Sequence, residues 1–506
     1  MIAFLYALSM GVLTFYGANL LWLALGYVKT DRLLTGPVPR RPGSDGPGPG
    51  YDWPYVTVQL PLYNEQYVVD RVIDACARLD YPKTKLEIQV LDDSTDETVD
   101  IVARRVEHWR RRGLNIVHVR RTNRQGYKAG ALQNGVLMAS GELLAVFDAD
   151  FIPPADFLRR VAPHFASDDV GMVQTRWGHL NGKDSLLTQI QAASLDAHFA
   201  IEQYVRNRTG CFMNFNGTAG VWRRACILDA GGWEGDTLTE DLDLSYRAQL
   251  RGWQFRFLPD IEVPAELPPD INALRAQQFR WTKGAAETSI KVLKRLWRSK
   301  EPMRVKLEGT MHLTNCIVFP FVLLVAAFHA PLLYLKNLTD DGPGDVYFAV
   351  LGLGILAFAG VFLVQLFAQR SLHPDWAWRM RIFPLFMAGS MGFAINNTRA
   401  VFEALIGKRT AFVRTPKFAG QGKSKPGKGP WWKSKYAHVG LPPVVWLECL
   451  MAVYCFLGLG LAVYVGEWLA VPFQALFAAG FGLVALFNVR QVFEARREAI
   501  AMAGAV

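Results

Sequence analysis

Four short clusters in the sequence place carboxylates, an amide, a guanidinium and an indole at spacings that could chelate a cation and move a proton. Asp148-Ala149-Asp150 follows directly on the apolar run Leu143-Leu-Ala-Val-Phe147. Two carboxylates flanking one residue can share Mg2+ or Mn2+, and such a cation offsets the charge of a departing diphosphate. Leu91-Asp92-Asp93-Ser94-Thr95-Asp96 also follows an apolar run. Asp, Ser and Thr accept from free amides at helix starts, a role expected here of Ser94 or Thr95; Asp92 and Asp93 stay available for a base or ribose hydroxyl. In Thr239-Glu240-Asp241, Asp241 is the candidate base, because an attacking hydroxyl must lose its proton to a carboxylate; a cap for the helix Leu242 to Leu250 would use the same residue types. Gln277, Arg280 and Trp281 stand at i, i+3 and i+4 and share one helix face. Together they can bind a diphosphate and stack on a ring, although an amphipathic helix with a snorkelling arginine presents the same pattern.

The elements that must position these clusters alternate. Val56-Thr-Val-Gln-Leu, Leu86-Glu-Ile-Gln-Val-Leu, Asn115-Ile-Val-His-Val and Leu143-Leu-Ala-Val-Phe read as strands. Between them lie helical patterns from Glu65 to Arg78, Glu97 to Arg112 and about Ala129 to Met138. Strand–helix alternation of this kind predicts an α/β, Rossmann-like domain with a mostly parallel sheet over 55–300, and ligands at the carboxyl ends of the strands. Gln174-Thr-Arg176-Trp177 and Trp222, Trp233 and Trp253 could line a path for a second substrate, though most tryptophans in such a domain pack in the core.

Apolar residues make up 51% of the 506, and they are unevenly spread. Residues 1–28 are nearly uncharged and long enough to span a bilayer; without a basic start, a retained helix is expected rather than a cleaved signal. A Pro/Gly-rich linker, 29–54, follows. Residues 301–506 read as an α-helical membrane domain with four spans near 311–335, 346–369, 443–465 and 467–487. The segment 381–407 is broken by Asn396-Asn-Thr-Arg and is expected to be interfacial, followed by a basic loop at 408–437. The net charge of +10 sits largely in loops between spans, as in cytosolic loops of membrane proteins, which argues for a lipid bilayer and against nucleic acid. With the 55–300 domain in the cytosol, five crossings place the acidic loop 336–345 outside and the basic loop inside. Six cysteines without a CxxC pair suggest buried thiols, neither a disulfide framework nor a zinc site.

The order Asp92-Asp93, Asp148-x-Asp150, Thr239-Glu-Asp241 and Gln277-x-x-Arg280-Trp281 resembles the inverting family-2 glycosyltransferases of the cellulose synthase superfamily. Val90-Leu-Asp-Asp-Ser-Thr-Asp, Lys128-Ala-Gly-Ala-Leu, Phe215-Asn-Gly-Thr-Ala-Gly-Val-Trp and Gly231-Gly-Trp are similar to mannan/glucomannan synthases and xyloglucan-backbone glucan synthases. The resemblance covers nearly the whole chain from about Tyr55. It implies a GT-A cytosolic domain on a membrane domain, and transfer of hexose from GDP-mannose or UDP-glucose to a growing β-linked polysaccharide with coupled translocation. By the same resemblance Asp92 and Asp93 contact the nucleoside, and Lys128, Asp148, Gln277 and Arg280 serve the nucleotide-sugar. Asp148 and Asp150 hold Mg2+ or Mn2+, Asp241 is the base, and Glu240 and Trp281 lie on the acceptor side. Phe412-Val-Arg-Thr-Pro-Lys417 resembles the gating loop of cellulose synthases, where Thr415 and Lys417 would close over the nucleotide, with Arg414 replacing the usual Val. Asn214-Phe-Asn-Gly217-Thr218 stands where cellulose synthases carry Phe-Phe-Cys-Gly-Ser, which weakens the case for cellulose itself. Single transfer to diacylglycerol or ceramide, giving a glycolipid, needs the same donor site. A transporter or an inactive scaffold is the reading from another class; it leaves the retained acids unexplained. The resemblance implies a plasma or inner membrane location, or the Golgi in a eukaryote, and leaves accessory subunits unknown.

Overall fold

The computed structural model describes residues 1–34, 51–339, 343–344, 352–411, 414–415, 417 and 442–503. Most of the linker, and the 418–437 part of the basic loop, lie outside the described residues. A seven-stranded sheet runs in the order β3-β2-β1-β4-β6-β5-β7. Its strands are β1 (Val56–Leu62), β2 (Leu86–Asp92), β3 (Ile116–Arg120), β4 (Leu143–Val146), β5 (Val170–His179), β6 (Gly220–Arg223) and β7 (Gln254–Ala265). The four strands read from the sequence form the parallel half, with Val56 opposite Leu86 on one side and Leu143 on the other. β6 lies antiparallel to β4 and β5, and β7 pairs parallel with β5. At four residues, β6 is too short for an alternating pattern to announce it.

β1, β2 and β4 are buried on both faces, and the polar residues that interrupt β1 and β2 are paired across the strands, Thr57 Oγ1 donating to Glu87 Oε2 at 2.6 Å. One face is covered by α2 (Val69–Ala77) and α3 (Thr98–Arg110), through Val72, Ile73, Cys76, Val102 and Val106. The other is covered by α4 (Tyr127–Met138), through Ala129, Leu132 and Val136. The chain winds outward from β1 to β3, then crosses to β4 on the far side of β1. That reversal opens a crevice beyond the ends of β1 and β4.

Neither Ser94 nor Thr95 caps α3, contrary to the expectation. Ser94 Oγ accepts from the Asn64 amide at 2.8 Å, and the Thr95 amide donates to Asn64 Oδ1 at 2.9 Å. Asp96 Oδ1 accepts from the Thr98 amide instead, at 3.0 Å. The helix starts later than the sequence suggested, and the hydroxyls are spent joining the turn after β2 to the turn after β1.

Among the described residues five helices are long and apolar enough to cross a membrane: Ile2–Thr30, Met303–Leu338, Ile355–Leu372, Val444–Tyr464 and Val471–Phe493. The protein is a multi-pass membrane protein. Small residues let these helices touch backbone to backbone. A Cβ on Gly17 would stand 2.1 Å from the Ala357 Cα, and one on Gly480 would stand 2.3 Å from the Ala388 carbonyl. Within 381–407 the chain forms two short helices, Phe383–Gly392 and Ala394–Leu405, neither long enough to cross. The second carries buried Asn396, Asn397 and Glu403.

One helix joins the two halves. Ile271–Arg298, 28 residues long, starts on an Asp270 cap that accepts from the Ala273 amide at 2.8 Å. Arg275 pairs with Glu448 of the fourth apolar helix at 2.8 Å, both buried, and its carbonyl accepts from Asn396 Nδ2 at 3.2 Å. Further along, Lys283 donates to the Lys408 carbonyl at 2.5 Å, and Glu403 accepts from Lys408 at 2.9 Å.

Candidate active site

Each turn that leaves a strand end at the crevice delivers a polar side chain to it. β1 gives way to Tyr63 and Glu65, β2 to Asp93, and β4 to Asp148 and Asp150. The start of α4 adds Lys128, the start of the helix Glu240–Gln249 adds Glu240 and Asp241, and the connecting helix adds Gln277, Arg280 and Trp281. From the far end of the chain come Arg414, Thr415 and Lys417. All of these line one cavity. Of the nucleotide-sugar, metal, base and acceptor residues that the resemblance implies, all but Asp92 are among its walls.

Asp92 is buried one residue behind. Its Oδ1 accepts from the Ser94 amide at 2.9 Å and its Oδ2 meets His118 Nε2 at 2.8 Å. Although burial opposes it, these partners hold its carboxyl below the usual range. Asp92 thus shapes the turn that presents Asp93. Asp93 in turn receives both Nε and Nη2 of Arg121.

The two acids of the Asp-x-Asp pair each hold an ammonium. Lys128 Nζ donates to Asp148 Oδ1 at 2.6 Å and to the Gly217 carbonyl at 2.9 Å. Burial works against the charge on Lys128, but Asp148 and Glu240 outweigh it and raise its pKa. Lys417 Nζ donates to Asp150 Oδ2 at 2.8 Å, and Asp150 is only 2% exposed. A buried carboxylate that holds a cation from a distant segment fits a divalent ion, which needs the same oxygens and the same offset of charge. A second acid cluster, Glu234, Asp236 and Asp243, is filled by Lys291 at 2.6 to 3.1 Å and lies apart from the cavity.

Asp241 Oδ1 accepts from the Leu242 amide at 2.8 Å. Burial, and then the charge of Glu240, push the Asp241 carboxyl up to about 7 against the pull of Lys128. A carboxyl poised there can take a proton at neutral pH. Gly217 faces it with φ +81°, and a Cβ at that position would stand 3.0 Å from Asp241 Oδ2. The positive φ and the close approach both favour glycine at that position. Glu65 is also pushed up, to about 7, by burial, with Arg414 at 2.6 Å and Lys417 opposing. With Arg414, Thr415 and Lys417 among its walls, the cavity has a free volume of about 170 Å³.

The tryptophans divide. Trp281 and Trp177 line the cavity. Trp222 and Trp233 are packed in the core beneath it, ring against ring with Phe215, which removes them from any substrate path. Trp253 Nε1 donates to Asp229 Oδ2 at 2.9 Å, among exposed residues. Sequence reasoning missed Tyr63, Glu65, Arg124, Tyr127, His179 and Asn216, all of which line the cavity. Pro61-Leu-Tyr-Asn-Glu65 at the end of β1 was the available signal, since it occupies the same strand-end position as Asp93 and Asp148.

Residues 54–284 match the family model described as glycosyltransferase like family 2. The chain is 44% identical over 254 residues to glucomannan 4-beta-mannosyltransferase 1 of Oryza sativa subsp. japonica, covering 49% of each. It is 40% identical over 301 residues to glucomannan 4-beta-mannosyltransferase 2 of Arabidopsis thaliana, covering 56% of each. The match therefore spans about half the length of these curated relatives. Among solved structures, a mannosyltransferase from Pyrobaculum calidifontis in complex with GDP-Man and Mn2+ superposes with a TM-score of 0.53. It is 19% identical and covers 81% of this chain and 100% of that one, which shows a shared GT-A fold.

Proposed function

We propose that the protein, whose residues 54–284 match the family-2 glycosyltransferase model, is a membrane-integrated inverting hexosyltransferase. It transfers mannose from GDP-mannose to a growing 4-linked β-mannan or glucomannan. The convergence of Asp93, Lys128, Asp148, Asp150, Asp241 and Trp281 on one cavity carries this reading. The relatives' names and the GDP-Man and Mn2+ bound to the structural neighbour support mannose as the sugar and guanosine as the nucleoside.

Asp241 accepts the proton of the acceptor hydroxyl as that oxygen bonds to the anomeric carbon. The bond from that carbon to the diphosphate breaks, the diphosphate leaves with the electron pair, and the configuration inverts. Lys128 meets the diphosphate as a point charge, and Arg280 and Gln277 donate to it from the connecting helix. Mg2+ or Mn2+ held by Asp148 and Asp150 would supply the remaining neutralisation of the diphosphate. Trp281 and Glu240 hold the acceptor sugar. Lys417 leaves Asp150 as the donor enters, and Thr415 and Lys417 then close over the nucleotide. The 55–300 domain lies in the cytosol, with product passing toward the bilayer between the spans.

Incubating the purified chain with radiolabelled GDP-mannose or UDP-glucose and Mn2+ tests this. The expected product comes from GDP-mannose, stays out of chloroform, and is cut by an endo-β-1,4-mannanase. A chloroform-soluble product would replace the polymer with a glycolipid, and no product from either donor would end the proposal.

A further inference from the structure

Most cations that reach the cavity face a carboxylate: Lys128 faces Asp148, Lys417 faces Asp150 and Arg414 faces Glu65. Arg124 is different. Its guanidinium lies 3.2 Å over the ring of Tyr63 and 5.0 Å from that of Tyr127, and it makes no hydrogen bond or ion pair among the described residues. Its Nε is buried without a partner. A buried donor left unmade is costly, and a ligand that met it would remove that cost.

The turn that carries Arg124 is tightly built. Arg121, while gripping Asp93, also donates to the Gln125 carbonyl at 2.9 Å and the Tyr127 carbonyl at 3.0 Å. Tyr127 is held at φ +49° and its amide returns to the Arg124 carbonyl at 3.1 Å. Positive φ at a tyrosine is uncommon, and it persists here because the turn is fixed at both ends. Asp93 and Arg124 are thus presented together, at the strand ends beyond β2 and β3.

We propose that Arg124 reads the nucleobase of the donor, offering its planar fork to the O6 and N7 acceptors of guanine and so selecting GDP over UDP. This rests on the transferase reading above. A guanidinium held over a tyrosine ring keeps its planar fork of donors, which a neighbouring base can meet with its edge. Guanine offers two adjacent acceptors to such a fork, and adenine offers one acceptor beside an amino donor. Uracil has O4 next to a C–H and can take only one bond. Two flanking aromatic rings suit a flat base and contribute little to a phosphate.

The test is calorimetric binding of nucleoside diphosphates, with Mn2+, to the full chain in detergent, wild type against Arg124→Lys and Arg124→Met. The wild type is expected to bind GDP and IDP, which share O6 and N7, at least about tenfold more tightly than UDP. 7-Deaza-GDP should fall between. Both variants should lose most of the GDP advantage while UDP binding changes less than about threefold, with melting temperatures near wild type to show folding. The proposal is overturned if UDP binds wild type as tightly as GDP, if 7-deaza-GDP equals GDP, or if the variants weaken both nucleotides alike. If no nucleoside diphosphate binds, the transferase reading falls and takes this one with it.

Discussion

The two walls of the cavity are built on different principles. The donor-side wall is made of turns that follow β1, β2 and β4, so its residues are placed by the sheet itself. The membrane-side wall is made by a helix that ends in the bilayer half and by a segment that returns from beyond residue 410. Lys417 reaches Asp150 across 267 positions, whereas Lys128 reaches Asp148 across 20. Strand-end residues stay in place as long as the sheet does. The membrane-side residues depend on packing between the halves.

The largest effect is expected at Asp241, which the start of the helix Glu240–Gln249 brings between the two walls. Asp241→Asn keeps the shape and removes the base, so kcat should fall by roughly 10²–10⁴-fold. GDP binding should stay within about twofold. An Asn variant that turns over like wild type would hand the proton to another group.

Breaking the joint between the walls should cost stability instead. Arg275→Leu leaves Glu448 buried without its partner, a loss of about 3–5 kcal/mol that thermal unfolding would detect. Replacing both residues by leucine should recover most of it. If the single variant melts like wild type, the pair does not hold the helix to the membrane half.

A pH profile sharpens the role of Asp241 further. With its carboxyl near 7, Asp241 is the active base only when deprotonated, so kcat should fall about tenfold per pH unit well below 7 and level off above it. A profile flat from pH 5 to 8 contradicts the burial and Glu240 effects assigned to this group. The smallest expected change concerns Lys417. Removing its ammonium from Asp150 by Lys417→Ala should tighten Mn2+ binding several-fold in the absence of nucleotide, because two cations no longer compete for one buried carboxylate. Unchanged or weaker Mn2+ affinity would mean that Lys417 does not occupy the ion's place.

Local chemistry was legible wherever a residue sat at the end of a strong strand pattern. Asp93, Asp148 and Asp150 were found that way, and the same rule applied to β1 would have found Tyr63 and Glu65. It failed where neighbours compete for one role. Asp92 and Asp93 look equivalent in sequence, yet the strand's alternation puts consecutive side chains on opposite sides, and His118 on β3 claims Asp92. Trp222 and Trp233 illustrate the converse. Aromatic content suggested a sugar path, and only their packing against Phe215 shows them to be core.

The sequence by itself determined the α/β alternation, the apolar helices and the acids at the carboxyl edge, because these follow from periodicity and from short-range spacing. Tertiary structure decided that Arg414 and Lys417 enter the same cavity, that Asp92 stands behind it, and that Arg124 lies over Tyr63. Such contacts join segments tens to hundreds of residues apart, and no local pattern encodes which distant carboxylate or ring a cation will meet once the chain has folded.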